Sequence, residues 1–246
     1  KSWMKAVLFD LGHTLIDYYH EWKGPEAMAV DRVYRIVTEA CDATPDEKEF
    51  TAYLSRSLDE ARERKITEMV EVPLYETLET CFHRYGYDFG EDLVIDSMNA
   101  FYQTLLDTRK LIPGAVEMLG RVKDRGLLVG LVSDVAWGLP SEYPLKDMKH
   151  FQLDPYFDDM VFSTDVGLRK PNPRIFKIAL WNLGVKPADS AFIGNSLQAD
   201  VRGAQGVGML AILKDSKYYQ HDANIIPDAK IADWSELDSL LDGRGD

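Results

Sequence analysis

Cysteine is nearly absent from this chain: Cys41 and Cys81 are the only two in 246 residues. Far apart and without CxxC spacing, they offer neither a disulfide framework nor a thiolate metal site, so a hydrophobic core must hold the fold. Two free thiols suit a reducing compartment, and the expected location is the cytoplasm. No apolar run nears the roughly 20 residues of a membrane-spanning helix, and no stretch has the build of a secretory signal, so no membrane partner is expected. Positive charge is short as well, with 28 Lys and Arg against 41 Asp and Glu and a net charge of -13. A nucleic acid needs a basic face to meet its phosphates, so that class of partner is excluded. Gly203-Ala204-Gln205-Gly206-Val207-Gly208 has the wrong glycine order for a dinucleotide fingerprint and follows a helix rather than opening one. There is no internal repeat and no low-complexity tract. What remains is 46% apolar and 28% charged residues, enough for one large domain or for a core with an insertion.

Lys1-Ser2-Trp3, ahead of Met4, is left out of the fold reading. Ala6-Val7-Leu8-Phe9 is a short apolar run that delivers Asp10 and is turned away by Leu11-Gly12-His13-Thr14. Such a run, bounded by a glycine turn, reads as a buried parallel strand. Helical stripes then follow one another. Val30, Val33, Tyr34, Val37 and Cys41 form one, Phe50, Tyr53, Leu54 and Ala61 a second, and Val94, Met98, Phe101 and Leu105 a third, with a fourth helix near Leu74 to Tyr85. Residues 18–110 carry 11 Lys and Arg against 20 Asp and Glu, which is the charge of a solvated helical bundle.

After Ile112-Pro113-Gly114 the rhythm changes to short strands alternating with helices. Strands are expected at Leu127 to Val132, Met160 to Ser163, Ser190 to Ile193 and Met209 to Leu213. Helices are expected at Ala115 to Asp124, from Pro173, at Ala199 to Gly206, and after a Ser235 and Asp238 cap. This pattern predicts an α/β fold, a doubly wound parallel sheet whose first crossover is interrupted by a helical insertion. The expected boundaries are 1–16 and 111–246 for the core and 17–110 for the insertion.

Polar groups sit at four strand ends or the loops after them: Asp10, Ser133, Lys170, and Asn195 with Asp200. The carboxyl ends of a parallel sheet share one edge, so these residues can share one site. The residue types suit attack by a carboxylate on an anionic electrophile. Asp10 is the candidate nucleophile, Ser133 a hydroxyl donor, and Lys170 a fixed cation. Asn195 and Asp200 offer oxygen to Mg²⁺, a hard cation. His13 lies close enough to Asp10 to invite a role as an acid, but a solvent-facing or loop-capping residue is the preferred reading. Thr14 is read as a hydrogen-bonding support for Asp10, and Asp134 as either a substrate contact or a loop cap. Lys170, before Pro171-Asn172-Pro173 at a helix start, is read as a site residue rather than a surface lysine. Tyr18, Tyr19 and Trp22 fall where the chain enters the insertion, and hinge packing is preferred to a place at a pocket mouth.

The motifs FDLGHTL (Phe9 to Leu15), IPGAVEML (Ile112 to Leu119), LVSD (Leu131 to Asp134), GLRKPNPRIF (Gly167 to Phe176) and FIGNSLQADVRGAQGVGM (Phe192 to Met209) resemble, in order and spacing, those of the haloacid dehalogenase superfamily. The resemblance covers essentially the whole chain. It implies a Rossmann-like core with an inserted α-helical cap domain, and most relatives of this layout are Mg²⁺-dependent phosphatases of small phosphorylated metabolites. It further implies an aspartyl-phosphate at Asp10 and phosphate contacts from Gly12, His13, Thr14, Ser133, Asp134 and Lys170. The implied metal ligands are Asp10, the Gly12 carbonyl, Asn195 and Asp200. The oligomeric state stays open between monomer and homodimer.

Two departures stand out. Gly12 replaces the Asp that the family's phosphatases use as acid and base, a group worth about 10²–10⁴ in rate. Asn195 replaces a metal-binding Asp, which removes a charge from the cation site. The alternatives are a 2-haloacid dehalogenase, which needs neither metal nor acid, and a degenerate protein with a binding or regulatory role. The dehalogenase pattern also has a Tyr after the nucleophile and a Ser-Ser-Asn-type fourth motif, and this chain has neither. Among Arg32, Arg35 and Arg56 no cap arginine of the dehalogenase kind stands out.

Overall fold

The computed structural model describes residues 3–87, 90–218, 222 and 224–242. Lys1 and Ser2 lie outside them. The chain opens with β1 (Ala6–Phe9) and β2 (Ile16–Asp17). It continues into α1 (Lys23–Ala40), α2 (Glu47–Glu68), α3 (Leu74–Arg84) and α4 (Glu91–Leu106), and returns through β3 (Lys110–Leu111). Then come α5 (Ala115–Asp124), β4 (Leu128–Ser133), α6 (Glu142–His150), β5 (Asp159–Phe162), α7 (Ser163–Val166), α8 (Pro173–Leu183) and β6 (Ser190–Gly194). The end of the chain holds α9 (Gly203–Val207), β7 (Leu210–Lys214), β8 (Ala229–Ile231) and α10 (Leu237–Asp242).

Six strands form one parallel sheet in the order β5-β4-β1-β6-β7-β8. β1 lies between β4 and β6, and all four of its side chains are buried, which is why its sequence is apolar without alternation. The two faces separate cleanly. Val7 and Phe9 lie on one face, where Phe9 meets the rings of Phe157 and Trp234, whereas Ala6 and Leu8 join the cluster formed by α8 and α9 on the other. On β4, Gly130 is required by close packing, because a Cβ there would lie 2.9 Å from both Leu183 and Leu8.

Local chemistry explains the helix ends. The Asp46 side chain accepts from the Glu49 N–H and opens α2. Asn172 caps α8, Pro173 occupies its first turn, and Gly184 closes it in the left-handed region. At the last helix the expected Ser235 and Asp238 cap gives way to Asp233, whose carboxylate accepts from the Ser235 N–H and starts a 3₁₀ turn ahead of α10. The helix expected over Ala199 to Gly206 is two pieces, a π-helical turn at Leu197–Arg202 followed by α9.

The insertion α1–α4 leaves and rejoins the core side by side. β2 and β3 pair antiparallel, with Ile16 opposite Leu111 and Asp17 opposite Lys110, and the Ile112 N–H donates to the Leu15 carbonyl. A second junction lies after α2. Val70 bridges to Leu168, the Glu71 N–H donates to the Gly167 carbonyl, and the Arg169 N–H donates to the Met69 carbonyl. Among the described residues no helix is long and apolar enough to cross a membrane. Cys41 and Cys81 are both free thiols.

Candidate active site

Asp10 follows β1 directly and is 8% exposed. Its N–H donates to the Ile193 carbonyl on β6, so the sheet itself sets the position of its backbone. Two donors fix its carboxylate: Thr14 Oγ1 lies 3.0 Å from Oδ2, and Lys170 Nζ lies 2.8 Å from Oδ1. Lys170 reaches back from the loop before α8 and also donates to Asp200 Oδ1 at 2.7 Å. Its side chain is 2% exposed, which removes the surface-lysine reading. Burial would pull the Lys170 pKa down, but Asp10, Asp200 and Asp134 together hold it above the ordinary lysine value. Lys170 is therefore a permanent cation beneath the Asp10 carboxylate.

Asp200 sits in the π-helical turn after β6. Burial, with the Asp10 charge adding to it, raises its pKa, while Lys170 and the Ser196 N–H act the other way. Gly194 makes its position possible. A Cβ at Gly194 would fall 2.2 Å from Asp200 Oδ2, so only glycine lets the carboxylate lie against the strand end. Asn195 Oδ1 is 3.4 Å from the Thr14 hydroxyl. Asp10, Thr14, Lys170, Asn195 and Asp200 are thus one buried polar cluster.

Ser133 ends β4 and is buried, and Asp134 follows it. Both line a cavity of about 190 Å³ with Asp10, Gly12 and Asp147. Asp134 Oδ1 accepts from the Lys170 N–H, and burial raises its pKa against the pull of Arg169 and Lys170. Of the two roles expected for His13, the solvent-facing one does not hold, because its side chain is 16% exposed. Its ring stacks on Tyr218 at 4.3 Å, and Nδ1 faces Asp17 at 3.5 Å. Burial lowers its pKa, with Asp17 and Asp10 opposing. Its φ of 61° places it in the left-handed region, a backbone requirement of the turn. Gly12 has an ordinary φ, and a Cβ there would meet only the Tyr18 ring, at 3.8 Å and beyond.

A larger cavity, about 920 Å³, opens beside this cluster and is walled by α2 on the far side. Tyr19 and Trp22 line it, so they do more than pack at the hinge. Among the described residues its cationic lining is Arg62, Lys65, Arg169, Lys170 and Arg202, and its carboxylate is Asp134. Nothing in the α2 sequence separates Arg62 and Lys65 from the other charged residues of that helix, so sequence reasoning alone does not find them. Arg62 lies 3.6 Å over the Trp22 ring and bonds Glu26, which also accepts from Trp137 Nε1 at 3.0 Å. Lys65 pairs with Glu71 at 3.2 Å.

No three carboxylate, imidazole or thiolate groups converge among the described residues. The donors that do converge are oxygens, the Asp10 carboxylate and the Asn195 amide meeting at the Thr14 hydroxyl with Asp200 close by. An oxygen-only set fits a hard divalent cation such as Mg²⁺, and the Asn195 amide leaves it one charge weaker than a carboxylate would.

Comparison with known proteins places this geometry. The profile of the haloacid dehalogenase-like hydrolases matches residues 4–208. A glyceraldehyde 3-phosphate phosphatase from Pyrococcus furiosus is 31% identical over 162 residues, 65% of either chain. One from Methanopyrus kandleri is 26% identical over 95% of both chains. Among solved structures, a HAD phosphatase from Thermococcus onnurineus superposes with a TM-score of 0.62 at 26% identity, covering 98% of this chain and 99% of its own. A 2-haloacid dehalogenase from Pseudomonas syringae reaches a TM-score of 0.69 at 24% identity, covering 97% and 98%, a likeness of fold alone.

Proposed function

The chain belongs to the haloacid dehalogenase-like hydrolases, and from that premise we propose that it is a phosphatase acting on phosphate monoesters of small metabolites, through Asp10. The observation that carries this reading is the cluster at the strand ends, where Lys170 Nζ holds Asp10 Oδ1 at 2.8 Å and Asp200 Oδ1 at 2.7 Å while the Thr14 hydroxyl holds Asp10 Oδ2 at 3.0 Å. A buried carboxylate fixed beside a buried cation suits attack on an anionic phosphoryl group, with the cation offsetting the charge. The names of the curated relatives, glyceraldehyde 3-phosphate phosphatases among them, support the same substrate chemistry.

In the proposed reaction Asp10 Oδ2, next to the Thr14 hydroxyl, attacks phosphorus and the ester oxygen departs with the bonding electrons. Lys170 keeps Asp10 ionised and offsets charge on the transferring group. Ser133, with the turn at Gly12, His13 and Thr14, receives the phosphoryl oxygens, and Asp134 holds the Lys170 loop by its backbone. Water then cleaves the aspartyl-phosphate and frees Asp10. Asp10, the Gly12 carbonyl, Asn195 and Asp200 would hold Mg²⁺, which when bound supplies charge neutralisation to the phosphoryl oxygens. The α1–α4 insertion, 17–110, serves as a cap that closes the site from water, hinged at the β2–β3 pair.

The test is phosphate release from p-nitrophenyl phosphate with and without Mg²⁺, in the natural protein and in Asp10→Asn. Turnover that needs both the ion and the carboxylate is expected. Halide release from a 2-haloacid, in a protein that spares every phosphate ester, would replace the phosphatase reading with the dehalogenase one.

A further inference from the structure

The phosphatase reading leaves open which alcohol is released, and the surroundings of Asp10 bear on that. An alkoxide is a far stronger base than a phenoxide and needs a proton as it goes. A phenoxide leaves with a pKa of about 10 and needs none. Around the cleavage point Gly12 offers no acid, and several of the polar groups nearby are held by other partners. The Tyr18 hydroxyl donates to Asp147 Oδ2 at 2.7 Å, and Asp147 also receives Tyr102 and Arg109, both at 2.6 Å. The His13 ring is stacked on Tyr218 with Nδ1 turned to Asp17. Asp134 accepts the Lys170 N–H, and Gly12 has no side chain to offer.

The large cavity is shaped for a ring. Tyr19, Trp22, Trp137 and Tyr218 contribute aromatic walls, joined by Leu58 and Met69. These walls are braced, Trp22 by the overlying Arg62 and Trp137 by its bond to Glu26 and by an edge contact to Phe101 at 5.2 Å. At about 920 Å³ the space is near the upper end of ordinary ligand sites. It is far larger than a three-carbon phosphate requires.

We propose that the preferred substrates are aryl phosphates, or esters of equally acidic hydroxyl groups, whose ring occupies the cavity beneath α2. This rests on the phosphatase reading above. In the first step the bond from Asp10 oxygen to phosphorus forms, the phosphorus–aryl oxygen bond breaks, and the phenoxide departs carrying its electron pair. In the second, water adds to phosphorus, the aspartyl oxygen leaves as carboxylate, and both water protons stay on the released phosphate. Neither step calls on a protein acid.

The experiment compares kcat/KM in Mg²⁺ for p-nitrophenyl, phenyl and naphthyl phosphates with that for glycerol 3-phosphate, in the natural protein, Gly12→Asp and Asp134→Asn. The natural protein should lose rate steeply as the leaving hydroxyl becomes less acidic, with the alkyl ester about 10³-fold or more below phenyl phosphate. Naphthyl phosphate should show a lower KM than phenyl phosphate. Gly12→Asp, whose Cβ would only touch the Tyr18 ring at 3.8 Å, should raise the alkyl rate and flatten the dependence. An alkyl rate within tenfold of the aryl rate in the natural protein would overturn the inference and leave the phosphatase intact. An alkyl rate that vanishes in Asp134→Asn would assign the proton to Asp134 and overturn it as well. Failure on every ester would instead remove the phosphatase reading on which the inference stands.

Discussion

Glu71 joins the insertion to the core at the loop that carries Lys170, and its removal tests how that junction is held. The side chain is fully buried. It accepts from Arg169 Nη1 at 2.7 Å, from the Ser163 hydroxyl and from the Val72 N–H at 2.9 Å, and it faces Lys65 Nζ at 3.2 Å. Glu71→Gln keeps the volume and removes the charge, which leaves Lys65 and Arg169 facing each other across a buried space. Breaking one side of a buried pair costs about 3–5 kcal/mol, and the retained amide oxygen argues for the lower figure, about 3 kcal/mol. For a chain of this length that is a fall in Tm of roughly 6–12 °C. The pH dependence follows from the carboxyl's environment. Burial alone would raise the Glu71 pKa, but Arg169, Lys65 and Ser163 together bring it below the ordinary value. A depressed carboxyl stabilises the fold above its unfolded pKa of about 4.3 and loses that contribution as pH falls through the lower folded value. Urea unfolding of both proteins at neutral and acidic pH is the assay. The gap should be full at pH 7 and close below about pH 4. A neutral-pH difference under about 1 kcal/mol would refute the reasoning and make the cluster no stronger than a surface ion pair.

Asn195→Asp adds the missing charge beside Asp10, so Mg²⁺ should raise the melting temperature at concentrations about tenfold lower than in the natural protein, read by thermal shift without substrate. Asp147→Asn leaves one acceptor oxygen for Tyr18, Tyr102 and Arg109, and a loss of about 3 kcal/mol is expected by urea unfolding. Burial lowers the Lys65 pKa to about 8, with Glu71 opposing. Its charge therefore penalises folding below pH 8, and stability should recover as pH rises from about 8 toward the unfolded value of about 10.4. The same deprotonation removes a cation from the cavity, so KM for a phosphate ester should rise through pH 8, and Lys65→Met should abolish that step.

Much of the fold was legible because it is local. The apolar run of β1, the Pro and Gly marks of α8, and the stripes of α1 and α4 each follow from residues a few positions apart. α6 and the short strands β2, β3 and β8 were not foreseen. Three of these are two or three residues long, too short for any periodicity to register. The π-helical turn at Leu197–Arg202 overlaps the start of the helix expected from Ala199 to Gly206, and a single such turn is too short for its different spacing to register in the sequence.

The sequence by itself determined which chemistry the site could hold. Asp10, Ser133, Lys170 and Asp200 are placed at or just after strand ends, and a parallel sheet brings such ends to one edge whatever lies between them. The tertiary structure alone decided how that chemistry is held and what it meets. Lys170 bridges Asp10 and Asp200 across separations of 160 and 30 residues, and Glu71 meets Arg169 across 98. Gly194 is needed only because Asp200 folds back onto it. Arg62 and Lys65 read as solvated charges along a polar helix until the insertion closes over the core and turns them inward. Periodicity reports which side of an element is apolar, but the partner of a charge is set by packing between elements far apart in the chain.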